Sequence, residues 1–524
     1  MKRLALFLAL CMVFTLALAG CNQSADPGTS DQTQTDSNQS QTDTNSTEQS
    51  TGEKRTDLHL ALSEVPSVLD PHYANMIVEQ HIIAQIYEPL IFVEDDGTER
   101  PMLATDYTVS EDGLVYTFNL RQGVLFQNGE ELKASDVVFT VNRCKESASM
   151  YSYVEPIESV EAIDDYTVAI TLGYQYAPFI QYVAGLLIVN EKFVNETGDD
   201  AMATNTCGTG PYMLKDFQQA LSVAITAYPD YWQGEASIKD VDWKIITDTS
   251  TVLVAFEAGE LDYTSVPSAN WTEIESSGKY NTELLETSLT TYIMLNHTVA
   301  PFDNKLVRQA MSHAMNRDDM CLMGMDGLAT PAYTMARPAQ VFGATEDCTK
   351  FEYDVEKAKA LLAEAGYPDG FDGGPIKTLS GSFQKIAQVA QSNLAAVGIT
   401  TTVEMAETSA YVTDCANGNF GIAVMGVTLG TDYAMFDQIY ATQFIDNLNM
   451  ARYSNPEVDE LFAQGVATVD KDERLDIYSR LIEIVQEDAV YIPIFFRQNP
   501  VAYNKDLNAK FYLSTQFYYE WSWN

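Results

Sequence analysis

The sequence predicts a mixed α/β fold, and three observations carry that prediction. Short segments such as VYTFNLR at 115–121 alternate apolar and polar residues, the period of half-buried strands. Longer segments carry apolar stripes at i, i+3, i+4 and i+7, the period of amphipathic helices. Between residues 350 and 430 the two patterns alternate, which is the sign of an α/β unit.

The chain begins differently. Lys2 and Arg3 precede an almost wholly apolar run, Leu4 to Leu18, followed by Ala19 and Gly20. Basic start, apolar middle and small-residue exit predict a secretory signal peptide over 1–20. The run is shorter than the ~20 residues a membrane span needs. Leu18-Ala19-Gly20-Cys21 resembles the bacterial lipobox, in which peptidase cuts before a cysteine that then carries lipid. Cys21 is therefore the predicted lipidation site. From Asn22 to Asp57 the one apolar side chain, with Pro and Gly counted as neutral, is Ala25. Such a segment buries too little apolar surface to offset its conformational entropy, so 21–56 is predicted to be a disordered tether. At about 5–6 Å × √n its reach is near 30 Å.

The body that follows has roughly 470 residues, enough for about three domains or lobes. No second apolar stretch approaches 18 residues, so the membrane is met through the anchor alone. Acidic residues number 74 against 30 basic, a formal charge of −44 that repels nucleic acid and anionic lipid. Five cysteines remain beyond the signal and anchor: Cys144, Cys207, Cys321, Cys348 and Cys415. An odd number forbids complete pairing, and none forms a CxxC pair. Cys321 and Cys348 joined across a loop, or five separate thiols, both fit.

Chemistry-bearing motifs are absent. There is no HExxH, GxSxG or GxxxxGK[ST], and GTGPYM at 208–213 lacks the third glycine of a dinucleotide fingerprint. The five histidines show no paired ligand spacing. With 74 acids, the mere presence of carboxylates says nothing about hydrolysis. From these motifs no enzyme, metal or cofactor is expected; a hydrolase whose carboxylates pair only in space is the alternative.

The elements follow in order. VYTFNLR places Tyr116, Phe118 and Leu120 on one face of a strand, and Asn128-Gly129 marks a turn. KASDVVFTVNRCKE at 133–146 predicts a helix capped by Ser135, and DDYTVAITL at 164–172 a strand after a turn. Val307, Ala310, Met311 and Ala314 form one helical stripe; Leu475, Tyr478, Ile482 and Val485 form another. DVEKAKALLAEAGYP opens with Asp354 as cap and stops at Gly366 and Pro368. KIAQVAQSNLAAVG at 385–398 predicts a helix, and ITTTVEM at 399–405 a strand. All these stripes are expected to be core.

Several long blocks carry a resemblance. LDPHYANMIVEQHIIAQIYEPLI (69–91), EDGLVYTFNLRQGVLFQNGEELKASDVVFTVNR (111–143), GTGPYMLKDF (208–217) and VAFEAGELDY (254–263) resemble, in order, the family 5 extracellular solute-binding proteins of ABC importers. LNHTVAPFDNKLVRQAMSHAMNRD (295–318), AKALLAEAGYPDGF (358–371) and the stretch from Tyr453 to Phe496 continue the likeness, which spans about Leu58 to the end. The resemblance implies a two-lobed, periplasmic-binding-protein-like fold of type II, cluster C, with an inserted third domain. Lobe one would comprise 57–88, 206–293 and 496–524, the insert 89–205, and lobe two 294–495. The chain would cross between lobes near YIMLNHT and YIPIFFRQNP.

The same resemblance implies a function: a lipid-anchored, extracytoplasmic receptor, monomeric, that captures dipeptides or oligopeptides and delivers them to ABC permease subunits. It would sit on the outer face of the cytoplasmic membrane, in the periplasm of a double-membraned cell. A nickel chelate, haem or an oligosaccharide as ligand, or a surface-sensor role, are the alternatives. GVTLGTDYAMFDQIY at 426–440 occupies the place of the family segment whose aspartate holds a peptide α-amine, and Asp432 matches that aspartate, with Gly430 and Thr431 beside it. The opposing ligand strand corresponds to Asn75, Met76 and Ile77. The chain departs from the family pattern in having Thr428-Leu429 where an aromatic is usual and Ala434-Met435-Phe436 where a proline is common. The tail WSW and the DYW at 230–232 are read as packing.

Overall fold

The computed structural model describes residues 54–341, 344–428, 430, 432–513 and 515–524. Cys21, most of the predicted tether, and Thr431 lie outside these residues. Three sheets organise the unit Thr56–Asn524.

The first sheet has the strands Asp57–Leu62, Asp240–Ile245, Ser222–Ala227 and Tyr212–Gln218 in that spatial order, the first pair parallel and the others antiparallel. Leu58, Leu60 and Leu62 alternate inward and pack with Val223, Ile225, Val241, Trp243 and the helix Ile77–Ile86. The tail closes this core. Trp521 and Trp523 are buried, and their indole N–H groups donate to Lys510 O at 2.8 Å and Asp57 O at 2.9 Å. That is the packing role expected of WSW, and it satisfies the one polar atom each ring carries.

The GTG of GTGPYM is explained here too. A Cβ on Gly208 would stand 1.9 Å from Ile86 O, and one on Gly210 would stand 2.8 Å from it. Gly210 N donates to the same carbonyl at 2.9 Å. The glycines let backbone touch a helix end; they do not cradle a phosphate.

The second sheet is antiparallel, in the order Ala104–Val109, Val115–Leu120, Thr167–Leu172 and Ile157–Asp164. Tyr116, Phe118 and Leu120 face its core as the alternation predicts. The helix Ala134–Glu146 packs on it, but Ser135 is not its cap. Lys133 holds that position, and its N–H donates to Asp136 Oδ2 at 2.9 Å. The carboxylate three residues on takes the orphan amide, so the helix starts earlier than Ser135 suggests.

The third sheet has seven strands: Tyr263–Ser265, Tyr491–Tyr503, Asn281–Leu295, Ile422–Thr428, Phe371–Thr378 and Ile399–Met405 in order, with Ala329–Pro331 pairing off Tyr491–Tyr503. Helices cover both faces. Ile293, Leu295, Ile422, Val424, Ile492 and Ile494 enter one cluster, with the helices Lys305–Ala314 and Ser382–Ala396. Tyr292, Met294, Ala423, Met425 and Tyr491 enter the other, with the helices Thr408–Ala416, Pro456–Ala467 and Lys471–Glu487. Burial on both faces is why YIML and IAVM read as continuous apolar runs and not as alternation. Met294 and Val424 belong to opposite clusters although each sits mid-strand.

The two long antiparallel strands Asn281–Leu295 and Tyr491–Tyr503 contain both predicted crossover segments in large part. Cys321 and Cys348 are free thiols, as are Cys144, Cys207 and Cys415, so the loop-closing disulfide is not formed. Burial pushes the Cys321 thiol up to about 12, which makes it a small hydrophobe and not a nucleophile.

A charge-balanced cavity as candidate ligand site

The strand Ile422–Thr428 ends at the surface of the third sheet, and Asp432 follows shortly after. It opens the short helical turn Tyr433–Phe436 as its cap: Oδ1 accepts from Ala434 N at 2.9 Å. Its carboxylate is 1 % exposed. A buried carboxylate is costly unless paired, and the partner is Arg474, whose Nη2 donates to Oδ2.

Arg474 lies in the first turn of Lys471–Glu487, which Asp470 caps by accepting from Asp472 N and Glu473 N at 3.0 Å each. One turn on, Tyr478 shares the same helix face. Its hydroxyl accepts from Arg474 Nη2 at 3.1 Å and reaches Asp432 Oδ1 at 3.3 Å. Arg474 Nε donates to Gly465 O at 3.2 Å. Gly465 permits this, because a Cβ there would lie 2.4 Å from the Tyr478 ring. Burial works against the guanidinium charge, but the Asp432 carboxylate outweighs it and the Arg474 pKa is raised. Among the described residues, Arg474 Nη1 has no hydrogen-bond acceptor.

Asp432 and Arg474 line a space of about 50 Å³ whose opposite wall comes from the second sheet and from the short strand Glu99–Pro101, which belongs to a separate two-stranded hairpin. That wall supplies Glu99, Tyr107 and Tyr116, and the first turn of the long helix adds Lys471. Glu99 accepts from Tyr107 Oη at 2.7 Å and pairs with Lys471 Nζ at 2.9 Å. The walls also meet directly: Ala177 N donates to Val466 O at 2.7 Å. With the walls this close the space is well below the roughly 300 Å³ of a ligand pocket, so a ligand enters it only if the walls part.

Of the residues singled out from the sequence, Asp432 lines this cavity. Gly430 stands nearby, its carbonyl accepting from Gln340 Nε2 at 3.5 Å. Thr431 lies outside the described residues. Asn75, Met76 and Ile77 do not line the cavity. They start the helix Ile77–Ile86, and the amides of Asn75 and Met76 both donate to Glu79 Oε2 at 3.1 Å. Arg474, Lys471 and Glu99 were not found from sequence. One signal was present for Arg474: a charged residue four positions before Tyr478, on the buried face of an amphipathic helix, needs a buried partner.

Comparison with known proteins agrees with this architecture. A family profile described as bacterial extracellular solute-binding proteins, family 5 Middle, matches residues 98–446. The glutathione-binding protein GsiB of Salmonella typhimurium is 30% identical over 472 residues, 86% of this chain and 91% of that protein. Among solved structures, HbpA2 from Haemophilus parasuis superposes with a TM-score of 0.82 at 28% identity, covering 89% of this chain and 100% of that one. DppA from Helicobacter pylori, in complex with the peptide STSA, gives 0.69 at 27% identity, covering 90% and 98%. The chain belongs to the family 5 bacterial extracellular solute-binding proteins, the two-lobed binding components of ABC import systems.

Proposed function

We propose that this chain is a lipid-anchored receptor that captures short peptides between its lobes and delivers them to an ABC permease. The observation that carries the reading is the small charged space at Asp432, where walls from separate parts of the fold meet. The peptide-bound DppA, matched over 90% of this chain, and the glutathione-binding relatives support a peptide-like ligand. Glutathione is itself a short peptide, and it is the first ligand to try.

In this reading lobe one is built from 57–88, 206–293 and 496–524, the insert from 89–205, and lobe two from 294–495. Separate hydrophobic clusters support a division into lobes and insert, although Val189, Val194 and Met202 at the end of the insert pack into the lobe-one cluster. The two long shared strands act as hinges that absorb the dihedral change of closure. Cys21 carries the lipid, and the polar segment after it lets the receptor search for its permease.

Native mass spectrometry of the folded full chain tests the ligand: a co-purifying or added short peptide is expected at one per chain, and failure of every peptide to bind removes the reading. Cys21→Ser tests the anchor. The variant is expected in the medium or periplasm, and unchanged membrane retention contradicts lipidation.

A further inference from the structure

Resting on the receptor reading, we propose that Arg497, on the strand that crosses between the lobes, receives a carboxylate carried by the bound peptide. A chain terminus or an acidic side chain supplies the same group.

The first observation is that this cation is left open. The fully buried arginines are all supplied with acceptors. Arg143, Arg337 and Arg474 each pair with a carboxylate. Arg308 and Arg317 are held by backbone carbonyls instead, Arg308 by Phe302, Asp303 and Asp488, Arg317 by Ala332, Pro493 and Phe351. Arg497 is half-buried, yet among the described residues its guanidinium has neither a carboxylate nor a hydrogen-bond acceptor. Burial alone acts on it and lowers its pKa. With 74 acidic residues to 30 basic, the chain had carboxylates to spare. A partly desolvated cation without a partner costs stability until something from outside meets it.

Its place is the second observation. Arg497 lies in the strand Tyr491–Tyr503, at the boundary between the segments assigned to lobe two and lobe one. The partner strand Asn281–Leu295 loses register opposite it: Glu286 pairs with Gln498 and Thr290 with Phe496, so residues 287–289 stand against Arg497 alone. Such irregularities re-aim side chains and recur beside functional sites. Thr287 Oγ1 donates to the Arg497 carbonyl at 2.8 Å and Arg337 Nη2 at 3.5 Å, which fixes the backbone there. Arg337 lies 4.4 Å over the Phe496 ring and holds Glu286 at 2.8 Å. Successive strand side chains alternate, so Arg497 stands on the opposite face from Phe496, and Glu286 is already taken.

A carboxylate suits this group, because the guanidinium fork takes both oxygens in parallel hydrogen bonds. The charge of −44 repels an anionic peptide at long range, so its carboxylate settles where a cation has no internal partner. On the crossover strand the bond forms where the lobes turn on each other.

The test combines calorimetric titration and urea unfolding of the full chain and of Arg497→Gln. The probes are trialanine, trialanine amide, Ala-Ala-Glu amide and glutathione. Trialanine and glutathione are expected to bind the variant about 10-fold or more weakly than the unaltered chain, the loss of a charge-assisted hydrogen bond. Trialanine amide carries no carboxylate and is expected to bind both chains alike. Ala-Ala-Glu amide separates the two sources. A preference for it over trialanine amide, abolished by Arg497→Gln, assigns the contact to a side-chain carboxylate; a preference for trialanine alone assigns it to the chain terminus. The urea midpoint of the ligand-free variant should be unchanged or higher, since no internal bond is removed. A lowered midpoint would reveal an internal partner and overturn the assignment. Undiminished binding of the acids by the variant also overturns it and leaves a peptide receptor standing. Binding of none of the four probes to the unaltered chain overturns both.

Discussion

Two arginines in this molecule are buried against an aspartate, and they are finished differently. Arg143 grips Asp70 with both terminal nitrogens, at 2.9 Å and 2.6 Å, and reaches Asp199 with Nε and Nη2 at 3.1 Å and 2.8 Å. His72 Nδ1 lies 2.8 Å from its Nη1, and the Tyr73 ring lies beneath. Burial holds His72 at about 4, so the imidazole is neutral there and accepts from the guanidinium. Every donor is used. Arg474 has, among the described residues, no acceptor on Nη1, and it lines a space of about 50 Å³. A saturated pair joins parts of a fold; an unsaturated pair on a cavity is equipped to take a further partner. The first fastens the helix Ala134–Glu146 to the segment around Asp70, and the second lines the space between two walls of the candidate site.

Breaking the saturated pair should have the largest effect on stability. Arg143→Ala leaves Asp70 buried without its cation, which costs about 3–5 kcal/mol. Urea unfolding should show the loss, and a change below about 1 kcal/mol would mean that the joint does not depend on this pair.

A third buried charge sharpens the contrast, because it has no cation bonded to it. Glu88 is 3 % exposed and accepts from Tyr231 Oη at 2.7 Å, Thr209 Oγ1 at 2.8 Å and Trp232 Nε1 at 3.1 Å. Burial outweighs these three donors and pushes its pKa from 4.5 up to about 7. The folded chain therefore holds a proton that the unfolded chain has released between those two values. Stability from this group is fully present below pH 4.5 and is lost as pH rises to about 7, by about 3 kcal/mol in all. Glu88→Gln should remove that slope from the pH dependence of unfolding. A slope that survives the substitution belongs to other groups.

The smallest effect belongs to the rim. Lys471 is 61 % exposed in its pair with Glu99, so solvent screens it. Lys471→Ala should change stability by less than about 1 kcal/mol. A larger loss would make the Glu99–Lys471 bridge a structural clamp between the two walls of the cavity.

Much of the fold was legible because local periodicity reports burial. The strand Ile399–Met405 and the stripe Val307, Ala310, Met311 and Ala314 appear as the spacing predicts. Asp354 caps its helix by accepting from Lys357 N at 2.9 Å, and Gly366 stops it with φ of 95°. Ser135 misled because two acceptors competed for one helix start, and the carboxylate of Asp136 won. The site was legible only at Asp432. Its partner Arg474 is 42 residues away, and Glu99 and Tyr107 come from two other sheets. No local pattern encodes a contact that exists only once three segments have folded together. What the sequence did carry was a cation on a buried helix face in a chain short of cations.

The most direct measurement is a crystal structure of the full chain with glutathione bound. The peptide is expected in the cleft between the lobes, with its α-amine on Asp432 and the walls around Asp432 parted to admit it. A peptide bound elsewhere, with the Asp432–Arg474 pair closed on itself and untouched, would contradict the account.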